Sequence, residues 1–237
     1  MKTMTISTIA DLSNHVERHF LDDRTTTVIY RGHGAASFLL KPKAGRLSPP
    51  KHSGRTTLNE SLMLELFRRQ STDRIPIVAD NDWELLAVAQ HHGMPTRLLD
   101  WTRSPLAALY FAVAKECESR HRDGRPKNED AEIVALRSEK IQLTRPLPPQ
   151  PLKITSVIKY VPRITTPRLR AQSGLFTAHP EPTKAYEPNG IIRLRIPYNR
   201  RKPLKDALYR HGINENVLFP DLDGLARHIE WLQTAGH

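Results

Sequence analysis

Cysteine is almost missing: Cys117 stands alone in a chain of 237 residues. A single thiol excludes an intramolecular disulfide framework and fits a reducing compartment. No apolar run reaches the length needed to cross a bilayer. The opening stretch MKTMTISTIADLSNHVERHF lacks the apolar core of a secretory signal. The cytoplasm is therefore the expected location, and no membrane partner is expected. Neither a GxxxxGK[S/T] loop nor a GxGxxG after a strand is present. Zinc-type cysteine spacing and HExxH are also missing. The adjacent pair His91 and His92 is badly spaced to share one ion, so no metal site is expected. No internal repeat and no break in composition divides the chain, which points to one domain over residues 1–237.

Acidic residues are in deficit. Against 36 Lys and Arg stand 25 Asp and Glu, a formal net charge of +11. Such a balance favours polyanionic partners: nucleic acid, nucleotide phosphates or an acidic protein. The charge is spread out, with local runs from Arg193 to Lys205 and from Arg120 to Lys127.

What is present is concentrated between Asn81 and Ala112, NDWELLAVAQHHGMPTRLLDWTRSPLAALYFA. Asn81 or Asp82 caps a helix bearing Trp83, Leu86 and Ala87 on one face. Gly93 is placed to end it in a left-handed conformation, and Pro95 forbids its continuation. Thr96 to Trp101 reads as a short strand. Ser104 and Pro105 are an N-cap and a first helical position. The helix they open carries Leu106, Leu109, Tyr110, Val113, Ala114 and Cys117 as one buried stripe. Polar residues crowd the joints: His91, His92, Arg97, Asp100, Trp101, Thr102 and Ser104. Arg97 and Asp100 also suit a structural ion pair, and Trp101 suits a core. Their coincidence within one strand length favours a site.

Around this stretch, residues 7–20 read as a helix with Ile9, Leu12, Val16 and Phe20 on one face. Asp22 and Asp23 mark a turn. Thr25 to Tyr30 is a β-branched strand that delivers Arg31 and Gly32 at its end. The glycine admits close approach to the backbone, and the arginine reaches a phosphate or carboxylate. Thr57 to Glu60 is a capping-box pattern opening a helix to about Arg69, on which Glu65 is placed to meet an arginine. Ser119 to Asp130 is a polar loop. Ala131 to Arg137 and Thr155 to Val161 read as strands, with a proline-rich crossing from Gln142 to Pro151 between them. Gln172, Gly174, Phe176 and Thr177 surround a bend. Ile191 to Ile196 is a strand with two arginines on one face. Pro203 to Arg210 is a helix stopped at Gly212. Asp221 caps a last helix with Leu222, Leu225, Ile229 and Leu232 inward. The class expected is α+β: one domain with a mixed, mostly antiparallel sheet flanked by helices.

The segments YRGH (Tyr30 to His33), LKPKAGR (Leu40 to Arg46), AQHHGMPTRLLDWTRSPLAALYFA (Ala89 to Ala112) and RAQSGLFTAH (Arg170 to His179) resemble the FRG domain of bacteria and phages. The resemblance spans about Thr26 to Ile229. The layout is similar to that of ADP-ribosyltransferases as well: strand-Arg-Gly, strand-Trp-Thr-x-Ser, then a helix reading LAALYFA. That resemblance implies NAD as cofactor. Arg31 would hold its phosphate or ribose beside Gly32 and Arg97, and Thr102 and Ser104 would orient the nicotinamide ribose. Trp101 or Tyr110 would stack on the nicotinamide. Phe176 and Thr177 would complete the cofactor contacts.

The third element departs from that pattern. A late-strand glutamate is replaced by Gln172-Ser173-Gly174, which hydrogen-bonds ribose without supplying charge. One such electrostatic group is worth about 3 kcal/mol. Asp100, Glu65 and Glu181 are the candidates to replace it. His91 or His92 would serve as general base on the acceptor or orient Asp100. The implied function is ADP-ribosyl transfer to a nucleic acid or protein, in a toxin or anti-phage setting. Two other classes stay open. One is a nucleic-acid-binding module using Arg31, Arg97 and the Arg193/Arg195 face, with Trp101 stacking on a base. The other is a metal-independent hydrolase or nuclease using His91, His92 and Asp100.

Overall fold

The computed structural model describes residues 2–20, 28–72, 81–114, 128–138, 141, 146–163 and 166–234. Cys117, the turn at Asp22 and Asp23, the Phe20 side chain, and the polar loop up to residue 127 lie outside what it describes, as do residues 142–145 of the proline-rich crossing. The strands are β1 (Lys2–Thr5), β2 (Val28–His33), β3 (Leu98–Thr102), β4 (Ala131–Arg137), β5 (Ile158–Tyr160), β6 (Gly174–Ala178) and β7 (Ile192–Ile196). The helices are α1 (Ile9–Phe20), α2 (Lys43–Arg46), α3 (Glu60–Gln70), α4 (Asp82–His91), α5 (Pro105–Val113), α6 (Pro167–Ala171), α7 (Arg201–Arg210), α8 (Glu215–Leu218) and α9 (Leu222–Thr234).

Among the described residues the strands form one sheet in the order β1-β7-β4-β2-β3-β6-β5. Only the β1–β7 pair is parallel; the other neighbours run antiparallel. This is the α+β class and the mostly antiparallel sheet that the patterning predicts. Period-two alternation sorts the side chains between two faces. Tyr30, Ile133, Ala135, Leu194 and Ile196 pack with α1, α5 and α7. Leu98, Ile158, Tyr160, Phe176 and Ala178 pack with α3 and α4. Ile29, Leu99, Trp101, Val134, Leu136 and Leu175 form a third cluster with Leu40, Ile141 and Ile191.

The capping chemistry of the central stretch follows its sequence. Asn81 accepts from the amides of Trp83 and Glu84, and Gly93 has φ of 87°. Ser104 accepts from the Ala107 amide. Helix α5 is buried nearly all round, with Ala107, Ala108, Leu109, Tyr110, Ala112 and Val113 all inside, so a single stripe understates it.

Four expectations are corrected. Strand β2 does not end at Tyr30; it pairs with β4 through His33, so Arg31 and Gly32 lie inside it. Asn59, not Thr57, caps α3, accepting from the Leu62 amide. That leaves Glu60 to turn toward Arg97. The segment before α1 is a strand, β1, too short to announce itself. Leu222, Leu225 and Ile229 of α9 face outward, at 81%, 39% and 50% exposure. Gly224, His228 and Trp231 take the inner face, because Phe219 and Tyr209 lie against them.

Helix α5 rests directly on β2. A Cβ at Gly32 would lie 2.1 Å from the Ala108 carbonyl oxygen and 2.6 Å from the Ala112 amide nitrogen. Both are helix backbone and cannot rotate aside. Gly32→Ala is expected to cost about 3 kcal/mol. Chemical denaturation of the variant beside the parent checks this.

Candidate active site

The ladder between β2 and β3 has one matched pair, Tyr30 with Thr102. Beyond it the two strands part. Arg31 spans the gap: its Nη1 donates to the Asp100 carbonyl oxygen at 2.7 Å and approaches the Asp100 Oδ2 at 3.4 Å. The guanidinium thus takes the place of a ladder hydrogen bond. Its side chain is 17% exposed, while that of Asp100 is 59% exposed. Burial lowers the pKa of Arg31, and the Asp100 carboxylate opposes that shift.

A cleft of about 400 Å³ opens at this split. That is within the size range of small-molecule sites. Tyr30, Arg31 and Gly32 line it from β2, and Leu98 to Thr102 from β3. Gln90, Gly93 and Met94 line it from α4 and its end, Phe111 from α5, and Lys43 and Arg46 from α2. Arg168 and Gln172 complete it. Four lining side chains are cationic (Arg31, Lys43, Arg46 and Arg168), and one, Asp100, is a carboxylate. A second hollow of about 90 Å³ shares Gln90, Asp100, Trp101, Arg168 and Gln172 with the first, and adds His91, Thr166 and Phe176.

Residues 26–121 match the family model of the FRG domain. This part of the chain is an FRG domain. No curated protein and no solved structure matches the chain. The matched segment holds β2, α2, α3, α4, β3 and α5, and so every lining residue of the main cleft except Arg168 and Gln172. The RAQSGLFTAH segment lies beyond the match.

Within the FRG domain and around it, the residues expected at the site divide sharply. Arg31, Gly32, Asp100, Trp101, Thr102 and Gln172 come together at the cleft. Gly32, however, lends its missing side chain to α5 rather than to a ligand. Trp101 is 3% exposed, and its Nε1 donates to the Thr177 hydroxyl at 2.9 Å, so its ring is held in the core. The Thr102 hydroxyl is spent: it donates to the Gln172 carbonyl oxygen at 2.6 Å and accepts from the Ser104 amide. Ser104 caps α5. Gln172 Nε2 donates to the Leu218 carbonyl oxygen at 3.0 Å.

The other expected residues lie elsewhere. Arg97 is buried against Glu60, with Nη2 at 2.8 Å from Oε1 and Nε at 3.2 Å from Oε2. The ion pair foreseen between Arg97 and Asp100 is replaced by two pairs, because alternation puts the two residues on opposite faces of β3. Tyr110 is buried beside Glu215, and burial first, then Glu215, raises its phenol. Phe176 lines only the smaller hollow. Thr177 sits under Trp101 and His179. His91 reaches the smaller hollow near Thr166; burial first, then His92, lowers its pKa. His92 is exposed and lines neither. Glu65 pairs with Arg69 and Glu181 with Lys184 on the surface. Of the three candidate carboxylates, Asp100 is the one at the cleft.

On the Arg193/Arg195 face, Arg193 is engaged inside the sheet by Glu132, which is 0% exposed, and Arg195 is half-buried. Sequence reasoning passed over Lys43, Arg46, Gln90 and Arg168. LKPKAGR offered the first two. Arg168 carried no signal, since its place over the Phe219 ring, 4.5 Å from the centroid, joins parts far apart in the chain.

Two outcomes are expected. Glu60→Gln strips the charge from a pair about 10% exposed and is expected to cost about 3 kcal/mol of stability. Denaturation measures the cost, and an unchanged affinity for a cleft ligand confirms that the pair is structural. The second concerns pH. Burial, then Arg31 and Arg97, depress His179 from 6.5 to about 4. The unfolded imidazole gains its proton below about pH 6.5 and the folded one only near pH 4. Stability is therefore full above 6.5 and falls as the pH drops toward 4, by about 1.4 kcal/mol per pH unit at most. Urea unfolding across that window is expected to show this slope, and His179→Gln to flatten it.

Proposed function

We propose that the cleft binds NAD and that the protein transfers ADP-ribose to an acceptor entering on the His91 side. The observation that carries this reading is the charge arrangement at the β2–β3 split. Four cations, Arg31, Lys43, Arg46 and Arg168, line the cleft with a single carboxylate, Asp100, and Asp100 interacts with both Arg31 and Arg168. Arginine matches the geometry of phosphate oxygens, and lysine adds a point charge, so Arg31, Arg46 and Lys43 would hold the diphosphate. NAD supplies an ADP-ribosyl group joined to a cationic leaving ring. Asp100 presents a negative charge to the cleft, steadied by Gln90 Nε2 at 3.1 Å and by Arg31. It therefore takes the electrostatic role that the Gln172 amide cannot fill. His91, its pKa lowered, is neutral near pH 7 and can take a proton from an acceptor. The acceptor class is a polyanion, a nucleic acid or an acidic protein, in keeping with the net charge of +11. A toxin or anti-phage effector would use such an activity.

Calorimetry with NAD and labelling from adenylate-radiolabelled NAD test the reading. The parent protein is expected to bind NAD and to label an acceptor. Arg31→Ala is expected to weaken NAD at least about tenfold. Asp100→Asn is expected to lower kcat about a hundredfold while binding changes little. The acid limb of the rate profile, where His91 gains its proton, disappears in His91→Ala. Absence of NAD binding by the folded parent overturns the proposal.

A further inference from the structure

We infer that His33 and Glu132 are positioning residues that hold the Arg31 guanidinium in one orientation for an anion in the cleft. The inference rests on the cleft being an anion site, and not on ADP-ribosyl transfer.

Arg31 and His33 are two residues apart on β2 and share a face. Arg31 Nε donates to His33 Nε2 at 3.2 Å. His33 Nδ1 lies 3.3 Å from Glu132 Oε1. The register places His33 directly opposite Glu132 across the β2–β4 ladder. Arg193, from β7, donates to the same Glu132 oxygen. A line of polar groups thus crosses three strands, Arg193 to Glu132 to His33 to Arg31, and ends at the Asp100 carbonyl oxygen.

This line has one consistent protonation pattern. An arginine Nε–H only donates, so His33 Nε2 must be bare and accept. The remaining proton then sits on Nδ1 and is donated to Glu132. The imidazolium is excluded because both nitrogens would donate. It would also lie between Arg31 and Arg193 in a site where His33 is 4% exposed. Burial, followed by those two arginines, works against that charge, and Glu132 works for it. Phe38 covers the ring edge, 6.2 Å between centroids.

The consequence is geometric. An arginine side chain has several rotors, and a guanidinium bonded at one atom swings. Here Nε is fixed by His33 and Nη1 by the Asp100 carbonyl, and Nη2 takes no part in either bond. Two anchors set the plane of the group and leave an edge for a ligand. A buried carboxylate between cations is a costly way to gain stability alone. Its yield here is a preoriented donor at the cleft.

The test reads the tautomer and the anion affinity separately, on the full chain. Nitrogen-15 NMR of the imidazoles at pH 7 is expected to show His33 with a protonated Nδ1 and a bare Nε2. The opposite tautomer, or an imidazolium, overturns the inference whatever the protein binds. Calorimetry then uses inorganic pyrophosphate as probe. His33→Phe is expected to weaken it about tenfold. His33→Gln, whose amide can accept from Arg31 and donate to Glu132, is expected to stay within about threefold of the parent. Should His33→Phe not fold, His33→Asn, too short to span both partners, takes its place. Unchanged affinity in the folded His33→Phe or His33→Asn protein overturns the positioning role, as does failure of His33→Gln to restore it. A parent protein that does not bind pyrophosphate also removes that role. A parent that binds pyrophosphate but transfers nothing from NAD leaves it standing and removes only the transferase reading.

Discussion

The Asp100 carbonyl oxygen receives its hydrogen bond from a side chain. Its place in the sheet calls for a partner on β2, but the ladder there stops after Tyr30 and Thr102. A strand edge left open inside a domain needs its polar groups satisfied. The Arg31 guanidinium does this at 2.7 Å, and it spans a distance that two paired strands would have closed. The cleft exists because the arginine side chain reaches across a gap that no backbone-to-backbone bond could span. Packing keeps the split where it is. On β2, the backbone of α5 presses onto Gly32. On β3, Leu98 is held against α4 and α3, and Trp101 is tied to Thr177. The two strands are thus held by different helices, α5 on one and α3 with α4 on the other, where they part.

The matched FRG segment cannot complete this arrangement alone. It supplies β2 and β3, which share one matched pair, and every other ladder these strands make is to β4 or β6, beyond residue 121. The positively charged Arg168 and the Gln172 amide also come from beyond it. The segment that carries the family's sequence pattern therefore provides β2, β3 and three of the four lining cations. The remainder of the chain provides Arg168, Gln172 and the strands β4 and β6 that pair with β2 and β3.

Much of this was legible from local rules. Asn81, Gly93, Ser104 and Pro105 act over one turn of backbone, so their residue types announced where α4 ends and α5 begins. Ala131 to Arg137 could be read to the residue as a strand, although Ile133 to Leu136 is an unbroken apolar run rather than an alternation, as suits a central strand covered on both faces. What sequence could not show was which partner each polar group meets. Thr102 and Ser104 looked like ribose contacts, yet their hydroxyls close the turn into α5, and that is a fact about Gln172, seventy residues away in the chain. Arg97 and Asp100 looked like one pair and belong to two, since β3 turns them to opposite faces. The helix α9 shows the same limit in apolar form. Its stripe of leucines has the right period, but a second stripe, Gly224, His228 and Trp231, meets Phe219 and Tyr209 better.

Net charge misleads for a related reason. A formal +11 invites a picture of a uniformly basic surface. Yet Arg97, Arg193 and Arg201 are drawn inside: Arg97 onto Glu60, Arg193 onto Glu132, and Arg201 onto the carbonyl oxygens of Gly34 and Ala112. These arginines act as cross-links between elements, using five donors in a fixed fork to join strands and loops. Their charge is neutralised or absorbed by backbone, and contributes little to the field outside. What the excess does reach is the cleft, where Lys43, Arg46 and Arg168 face one carboxylate. A charge in such a place counts for more than one on an open basic surface, because low-dielectric walls strengthen each electrostatic contact.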